Sequence, residues 1–208
     1  MRELSEPEAA RRALIKRYRG ELWQPFVAAM KRYDLLREGE TLEVRLDGGA
    51  ASLVLALLME ALHRHSEYPF TCLFTASPEA RPDAERLGIP LADGAAGNVV
   101  TDSRCRTDAV EALLHAMTGE GRIRSFPPRE PLPDGRRLIR PLYCVARQDL
   151  ARWCRAFGFP PPVPENPDAA ARLETLRAMN PQAEENLFHA LHAAHPDTFP
   201  LRLSGKEL

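Results

Sequence analysis

Hydrophobic and polar positions follow the most regular pattern in residues 41–62, TLEVRLDGGAASLVLALLMEAL. An alternating run ends at Leu46, the tripeptide 47–49 interrupts it, and a stretch rich in Ala, Leu and Met follows. Alternation is typical of a β-strand, whereas the second stretch favours a helix. This part of the chain therefore predicts a strand, a tight glycine turn and a helix, which together form the front half of a parallel α/β unit.

The first 36 residues show helical rather than alternating periodicity. Residues 6–36 predict one or two amphipathic helices, with a break near Gly20 or Pro25. Five apolar residues recur at helical spacing and are expected to face the core: Leu14, Tyr18, Leu22, Phe26 and Met30. Lys16 and Arg17 belong to a basic stripe on the same segment. That stripe is either a solvated helix face or a surface that contacts RNA phosphates.

The remaining segments continue the α/β pattern with shorter elements. Residues 70–76 predict a second buried strand, residues 89–91 a stub of a third, and residues 99–102 another short strand. The linker before residue 99 is too short to carry a helix across two strands, so we expect the third strand to be vestigial.

The C-terminal half predicts helices separated by proline-rich stretches. Residues 107–118 predict an amphipathic helix, ended by Gly119 and Gly121, with Val110, Leu113, Leu114 and Met117 on one face. The later predictions are a proline-rich loop (127–135), a strand (137–145), a helix (148–157), a stiff extended linker (159–167), and two helices (168–179 and 182–195). We divide the chain into an N-terminal helical segment (1–36), an α/β domain (37–158), and a linker with a helical extension (159–208).

The composition limits the partners and the compartment. Hydrophobic residues make up 44% and charged residues 27% of the chain, the net charge is −1, and the pI is about 6.6. A chain this neutral has no overall attraction for a polyanion, so nucleic acid must be bound by a local patch. No apolar run is long enough to cross a bilayer and no secretory leader is recognisable, so we expect a cytoplasmic protein without membrane contact. The four cysteines lack CxxC spacing and are expected to be free thiols.

The glycine turn also carries a family resemblance. The segment LDGGAAS resembles the strand–SGGKDS–helix loop of the PP-loop ATP pyrophosphatases: Gly48, Gly49 and Ser52 match, whereas Asp47, Ala50 and Ala51 replace Ser, Lys and Asp. Four further stretches narrow the resemblance to the tRNA 2-thiocytidine synthetase family, of which this chain looks like a shortened and degenerate member: residues 15–40, 108–129, 137–153 and 180–191. The resemblance implies a small Rossmann-like parallel-sheet sandwich of the adenine nucleotide alpha hydrolase type, with N-terminal and C-terminal helices.

The same resemblance implies a chemistry whose key groups are altered in this chain. Family members use ATP, magnesium and an iron–sulfur cluster to replace oxygen by sulfur on a tRNA cytidine. Here Ala50 removes the loop cation and Asp47 adds a carboxylate beside the glycines. Two like charges 4 Å apart repel by about 4 kcal/mol at an effective dielectric constant near 20, more than a few backbone hydrogen bonds of about 1 kcal/mol each. We therefore expect the loop to be vestigial.

A second nucleotide-site element of the family aligns with residues 103–108. Only Asp108, together with the later Glu111, is retained. These acids either survive from the family site or stabilise the first turn of the following helix through its dipole. Arg104 and Arg106 are new, and they are candidates for another anion site.

The cluster and other metal sites have no ligand set in the sequence. The family segment that carries the CxxC pair is missing, and residues 158–172 lack the third cysteine, so we expect no cluster and no cofactor. His189, His192 and His195 lie on one predicted helix without further ligands, so no metal site is predicted. Residues 119–129 and 140–143 keep the family pattern and are interpreted as scaffold, although Arg122 and Arg124 are candidates for phosphate contact.

These observations favour a catalytically inactive relative of the tRNA thiolases, without catalytic residues, retained as a module that binds tRNA or a protein. The partner would be tRNA or a paralogous thiolase, and a homodimer is also considered. The alternative is an active ATP-dependent tRNA-modifying enzyme with a rebuilt site. A third interpretation is a protein that folds but has lost its role.

Overall fold

The computed structural model describes residues 5–66, 69–94 and 97–193. The helices in these ranges are α1 (Glu6–Ile15), α2 (Gln24–Arg32), α3 (Ala50–His65), α4 (Arg81–Arg86), α5 (Arg106–His115), α6 (Arg147–Ala156), α7 (Pro167–Met179) and α8 (Ala183–His192). The strands are β1 (Thr41–Leu46), β2 (Thr71–Ala76), β3 (Val99–Thr101), β4 (Arg129–Pro131) and β5 (Arg137–Ile139). π-helical turns occupy Arg19–Trp23 and Ala116–Glu120.

The five strands form one mostly parallel sheet in the order β2-β1-β3-β5-β4, which confirms the predicted α/β class. The strand β1 is an interior strand, second from one edge, and it pairs in parallel with both β2 and β3. Leu91 forms a single parallel bridge to Phe74, so the third predicted strand is vestigial, as expected. The glycine turn thus begins at the carboxyl end of an interior strand, with β2 on one side and β3 on the other.

Two predictions at the far edge of the sheet were wrong. The strand β4 lies inside the predicted proline-rich loop and pairs antiparallel with β5. An edge strand tolerates Pro131 because one side of its backbone needs no ladder partner. In addition, β5 ends at Ile139 rather than at residue 145, because the chain turns there and the Tyr143 N–H donates to the Arg140 carbonyl at 3.1 Å. Cys144 consequently lies in a turn and not on a strand.

The N-terminal segment folds as two helices, with the break close to where it was predicted. The π-helical turn Arg19–Trp23, which contains Gly20, separates α1 from α2. The five apolar residues expected in the core are all buried: Leu14, Tyr18, Leu22, Phe26 and Met30 are between 0% and 8% exposed.

Helix α3 is the central core element. Every side chain from residue 53 to residue 59 is at most 2% exposed, because this helix is apolar on all sides and lies between the sheet and the N-terminal helices. It packs on the face of β1 that carries Leu42, Val44 and Leu46. This packing fixes the N-terminus of α3 at the end of β1.

The opposite face of the sheet is polar and partly exposed. Glu43 lies there and is 5% exposed, although glutamate is rarely buried without a partner. Its carboxylate accepts from Arg45 Nε at 2.8 Å and from Arg136 at 3.0 Å, and both arginines lie over it. A parallel sheet normally buries both faces under helices, and here ion pairs make this face compatible with water.

The linker that precedes β3 lies directly against β1. A Cβ on Gly97 would lie 2.7 Å from the Glu43 backbone nitrogen and 2.8 Å from the Thr41 carbonyl oxygen. Only glycine fits such an approach. The Asn98 side chain then accepts a hydrogen bond from the Thr41 N–H at 2.8 Å, so the short connection is anchored to β1.

Helix α5 differs in its second half from the predicted helix. It begins at Arg106 as an α-helix but ends at His115, and a π-helical turn leads to Gly121, which caps the segment with φ +65°. The change of pitch rotates Met117 away from the predicted apolar face, and this residue is 46% exposed. Val110, Leu113 and Leu114 are buried as expected.

The C-terminal helices pack onto α5. Leu173 of α7 and Phe188 of α8 form a small core with four residues from α5 and the turn after β5, namely Ala109, Val110, Leu114 and Tyr143. The helix predicted for residues 182–195 is observed as Ala183–His192, and His195 lies outside the described residues. Within the described ranges no helix is long and apolar enough to cross a membrane.

Candidate nucleotide-loop site

The glycine turn after β1 is closed by its own carboxylate. Gly48 has φ +93°, a conformation that favours glycine, and it turns the chain so that Asp47 faces the start of α3. Asp47 Oδ1 accepts the Gly49 N–H at 2.8 Å, and Oδ2 accepts the Ser103 hydroxyl at 3.3 Å. An N–H group that would serve an anion in a phosphate loop is thus already bound to an anion of the protein.

Ser52 also faces inwards. Its hydroxyl donates to the Gly49 carbonyl at 2.7 Å and accepts the Asp47 N–H at 3.2 Å, and the residue is 0% exposed. The matching serine therefore stabilises the turn and offers no hydroxyl to the cavity above it.

A cavity of about 350 Å³ lies above this turn. The turn and the start of α3 form its floor, and α5, α6 and the proline-rich segment form its walls. The residues that line it are Asp47, Gly48, Gly49, Ala50, Ala51, Ser103, Arg104, Cys105, Asp108, Arg147, Leu150, Pro160, Pro161, Pro162, Val163 and Glu165. The predicted site residues Asp47, Gly48, Gly49, Arg104 and Asp108 therefore share one cavity, whereas Ser52 lies beneath it.

The residues of this cavity do not fit the phosphates of a nucleoside triphosphate. The Gly49 N–H already donates to the Asp47 carboxylate. Ala50 supplies no cation, and residues 47–52 contain no other positive side chain. A phosphate at the glycines would meet the carboxylate at close range, with a repulsion of about 4 kcal/mol at 4 Å near a protein surface. No reaction step through ATP or magnesium follows from this arrangement.

The retained acids Asp108 and Glu111 are held by Arg147. Both Arg147 terminal nitrogens reach Glu111 oxygens at 2.6 Å, and one of them also contacts Asp108. All three side chains are at most 14% exposed. Asp108 lies in the first turn of α5, as predicted, and its Oδ2 accepts the Cys105 N–H at 2.6 Å. Both carboxylates are therefore paired within the fold, although the single guanidinium balances only one of their two negative charges.

Arg104 is bound to its neighbour Asp102. Arg104 Nε donates to Asp102 Oδ2 at 2.7 Å, and the buried Arg140 donates to the same oxygen at 2.7 Å. Burial alone would raise the pKa of Asp102, but the hydrogen bond and charge of Arg104, followed by the charge of Arg140, outweigh it and lower the pKa. Both guanidinium groups also lie over the Phe126 ring, 4.5 Å and 4.8 Å from its centroid.

The other basic candidates do not converge on the cavity. Arg106 pairs with the buried Glu184 at 3.1 Å, and Arg124 pairs with Glu120 at 2.8 Å on the surface. Arg122, Lys16 and Arg17 are exposed, and the Arg17 guanidinium lies 5.3 Å from the Tyr18 ring centroid. Their role in binding RNA remains a prediction.

Three residues that hold the candidate side chains in place were not predicted from the sequence. Arg147, Asp102 and Glu184 hold the candidate residues, yet their partners are up to 78 positions away in the chain. Arg147 precedes a predicted helix, where a cation is unfavourable to the helix dipole unless acids lie nearby. An arginine at this position was therefore the one local sign in the sequence that an acidic partner is packed against it.

The four cysteines are separate from one another in role and place. Cys105 caps α5, Cys154 lies in the core on α6, Cys72 lies on β2, and Cys144 lies in a turn. Among the described residues no three His, Cys, Asp or Glu side chains are grouped in a way that could hold a metal ion. The chain therefore shows no fit to an iron–sulfur cluster in this part of the structure, and the absence of a cofactor remains a prediction.

The thiols are expected to be unreactive in the native protein. Burial raises the pKa of Cys72 and Cys154 to about 12, and it also raises the pKa of Cys105 and Cys144. Because the thiolate is the nucleophile, Ellman's reagent at pH 8 should label the native protein very slowly and all four cysteines rapidly in 6 M guanidinium chloride. Fast native labelling of Cys105, located by mass spectrometry of the modified peptide, would contradict its buried capping role.

Comparisons with known proteins connect this geometry with one family. No protein-family model matches the chain. The tRNA-cytidine(32) 2-sulfurtransferase of Anaeromyxobacter dehalogenans is 24% identical over 232 aligned positions, which cover 85% of this chain and 80% of the relative. The corresponding enzyme of Anaeromyxobacter sp. strain K is 23% identical with the same coverage. An alignment longer than the 208-residue chain contains gaps, which agrees with a shortened member.

A solved structure supports the fold. The U34-tRNA thiolase NcsA from Methanococcus maripaludis, determined with its [4Fe-4S] cluster, matches with a TM-score of 0.59 and 13% identity. The match covers 81% of this chain and 76% of the thiolase. Over most of its length the chain is therefore similar in sequence to the tRNA-cytidine(32) 2-sulfurtransferases and in fold to a U34-tRNA thiolase, and residues 47–52 depart from the SGGKDS motif.

Proposed function

We propose that this protein is a catalytically inactive relative of the tRNA thiolases, retained as a module that binds tRNA or a protein partner. The observation that carries the proposal is the hydrogen bond from the Gly49 N–H to the Asp47 carboxylate. The place of a bound anion is thus taken by a carboxylate that is covalently attached to the chain. The proposal further assigns the protein to the cytoplasm, where tRNA and the tRNA-modifying enzymes are found.

The neighbouring residues support the same conclusion. Arg147 forms ion pairs with both Asp108 and Glu111, so these oxygens are already occupied and are not free to serve as ligands of a magnesium ion. Meanwhile the scaffold is intact, because Arg140 is 1% exposed and binds Asp102, Glu130 and the Pro127 carbonyl. A protein that keeps its fold while losing its anion site is suited to binding rather than turnover.

Nucleotide turnover provides the first test. The purified protein is incubated with ATP, magnesium and unfractionated tRNA, and AMP and pyrophosphate release are followed by chromatography. We expect neither product above a no-protein blank, and no heat of ATP binding by calorimetry. Stoichiometric AMP release that depends on tRNA would overturn the proposal in favour of an ATP-dependent tRNA-modifying enzyme.

Binding of tRNA provides the second test. Electrophoretic shifts are measured at 50 and 200 mM salt for the native chain, for a Lys16→Ala/Arg17→Ala variant, and for Arg122→Ala. If the basic candidates contact phosphates, the double variant should lower the slope of log affinity against log salt by about two. If no tRNA shift were seen at 50 mM salt, tRNA would be excluded as the partner and a protein partner would remain.

One observation favours the alternative of an active enzyme. The cavity of about 350 Å³ remains above the loop, and Gly48 keeps the positive φ that such a turn requires. This alternative needs Asp47 to move away from Gly49 when a nucleotide enters, which the AMP assay would reveal.

A further inference from the structure

The cavity above the closed loop has apolar walls and a mouth that faces solvent. Leu150 and Ala50 are buried at its base, and Pro160, Pro161 and Val163 form one side. Val163 is 80% exposed, so it offers an apolar side chain to a partner at the edge of the cavity. Proline fixes its own φ, so this wall is stiff and loses little entropy when it is covered.

The charges that remain available in the cavity are negative. Its two guanidinium groups are engaged, Arg147 by Asp108 and Glu111 and Arg104 by Asp102. Asp47 is exposed, and its contacts are an amide and a hydroxyl rather than a cation. Glu165 is also exposed and acts on Arg104 only through its charge at longer range. An anion entering here would meet two carboxylates with no cation to receive it.

We propose that this cavity receives a lysine or arginine side chain from a protein partner, with an apolar residue of the same partner covering Val163. The inference rests on the proposed function and names the chemistry of its protein branch. A long basic side chain can lie with its methylene stem along the proline wall and Ala51 and with its charged end at Asp47 and Glu165. The partner would thereby supply in trans the kind of charge that Ala50 does not provide.

The geometry favours a protein segment over a free amine. A small amine would gain only the contact with two solvated carboxylates, and exposed ion pairs of this kind contribute little. A peptide adds an apolar contact with Val163 and the prolines. Binding sites in proteins are generally lined mostly by apolar side chains, and this wall of the cavity is of that kind. The cavity of about 350 Å³ is large enough for one long side chain.

The test is a nuclear magnetic resonance titration of the full ¹⁵N-labelled chain. The probes are acetyl-Val-Arg-Val-amide, the same peptide with uncharged citrulline in place of arginine, and pyrophosphate. The amides of Gly48, Gly49 and Val163 report on the cavity. We expect saturable shifts with the arginine peptide at 50 mM salt, weaker shifts at 500 mM salt, and none with pyrophosphate.

The variants separate the proposed charges from general acidity. Asp47→Asn keeps an oxygen for the Gly49 N–H while removing the charge, and it is combined with Glu165→Gln. The double variant should lower the affinity for the arginine peptide by about 2- to 25-fold, since each exposed ion pair contributes about 1.4- to fivefold. The matched control Glu38→Gln/Glu185→Gln removes two exposed acids that do not line the cavity and should leave the affinity unchanged.

Each contrary outcome has its own meaning. Equal shifts with the citrulline peptide, an unaffected double variant, or no shift with the arginine peptide would overturn the cation inference and leave the proposed function in place. Shifts of Gly48 and Gly49 with pyrophosphate would overturn the proposed function itself. The two failures are therefore distinguishable within one experiment.

Discussion

Restoring the loop residues at two positions should restore anion binding. In the variant Asp47→Ser/Ala50→Lys the tethered carboxylate is gone, and an ammonium group lies at the N-terminus of α3. We expect pyrophosphate to bind about 5- to 1,000-fold more tightly than to the native chain, because a like-charge contact at 4 Å costs about 1 kcal/mol in water and about 4 kcal/mol near a protein surface. Isothermal calorimetry measures the affinity.

The single variants provide the controls for this result. Ala50→Lys alone should gain little, because the new ammonium would be neutralised by Asp47 beside it. Asp47→Ser alone should gain part of the effect, so the two changes should be more than additive in a double-mutant cycle. Pyrophosphate binding by the native chain, or its absence from the double variant with the fold intact by circular dichroism, would show that the Asp47 contact does not control the site.

Removing the guanidinium at position 147 should produce the largest loss of stability. Arg147→Met keeps a stem of similar shape but leaves the Asp108 and Glu111 carboxylates without a cation in a site where both are at most 14% exposed. Breaking a buried ion pair from one side costs about 3–5 kcal/mol. We expect a loss of this size in the free energy of unfolding, measured in urea at pH 7.

The same helix offers a matched control. Arg152 pairs with Asp149 three residues away, and its side chain is 52% exposed. Arg152→Met should lower the free energy of unfolding by less than about 1 kcal/mol, as surface pairs do. If Arg147→Met were equally mild, the two acids would not depend on this arginine, and their availability for a metal ion would have to be reconsidered.

The central part of the fold was predictable because its signals are local. The alternating residues of β1, the glycines after it and the apolar run of α3 each specify a structure within a few positions. The same holds for the buried residues of the N-terminal helices. By contrast, β4 was missed because prolines signal a loop in a sequence, and only the neighbouring strand β5 shows that this segment is an edge.

The candidate site was predictable in its members but not in its contacts. Asp47 was predictable from its charge beside the two glycines, whereas its hydrogen bond with the Gly49 N–H depends on the backbone conformation of Gly48, which only the structure shows. Arg147 was missed because its partner Glu111 is 36 positions away, and no local pattern links them. Ion pairs between distant elements depend on how the helices pack. Patterns within a short stretch of sequence therefore do not reveal them.

The tight passage of Gly97 over β1 has a practical consequence for anyone who wishes to engineer a cluster-bearing insertion into this protein. A graft placed at Gly97 or Asn98 would detach the connection from the Thr41 and Glu43 backbone, so the splice belongs upstream, at Asp93 or Gly94. A grafted helix that covered the Glu43 face of the sheet would contact Arg45 and Arg136, so its buried side should be acidic or uncharged.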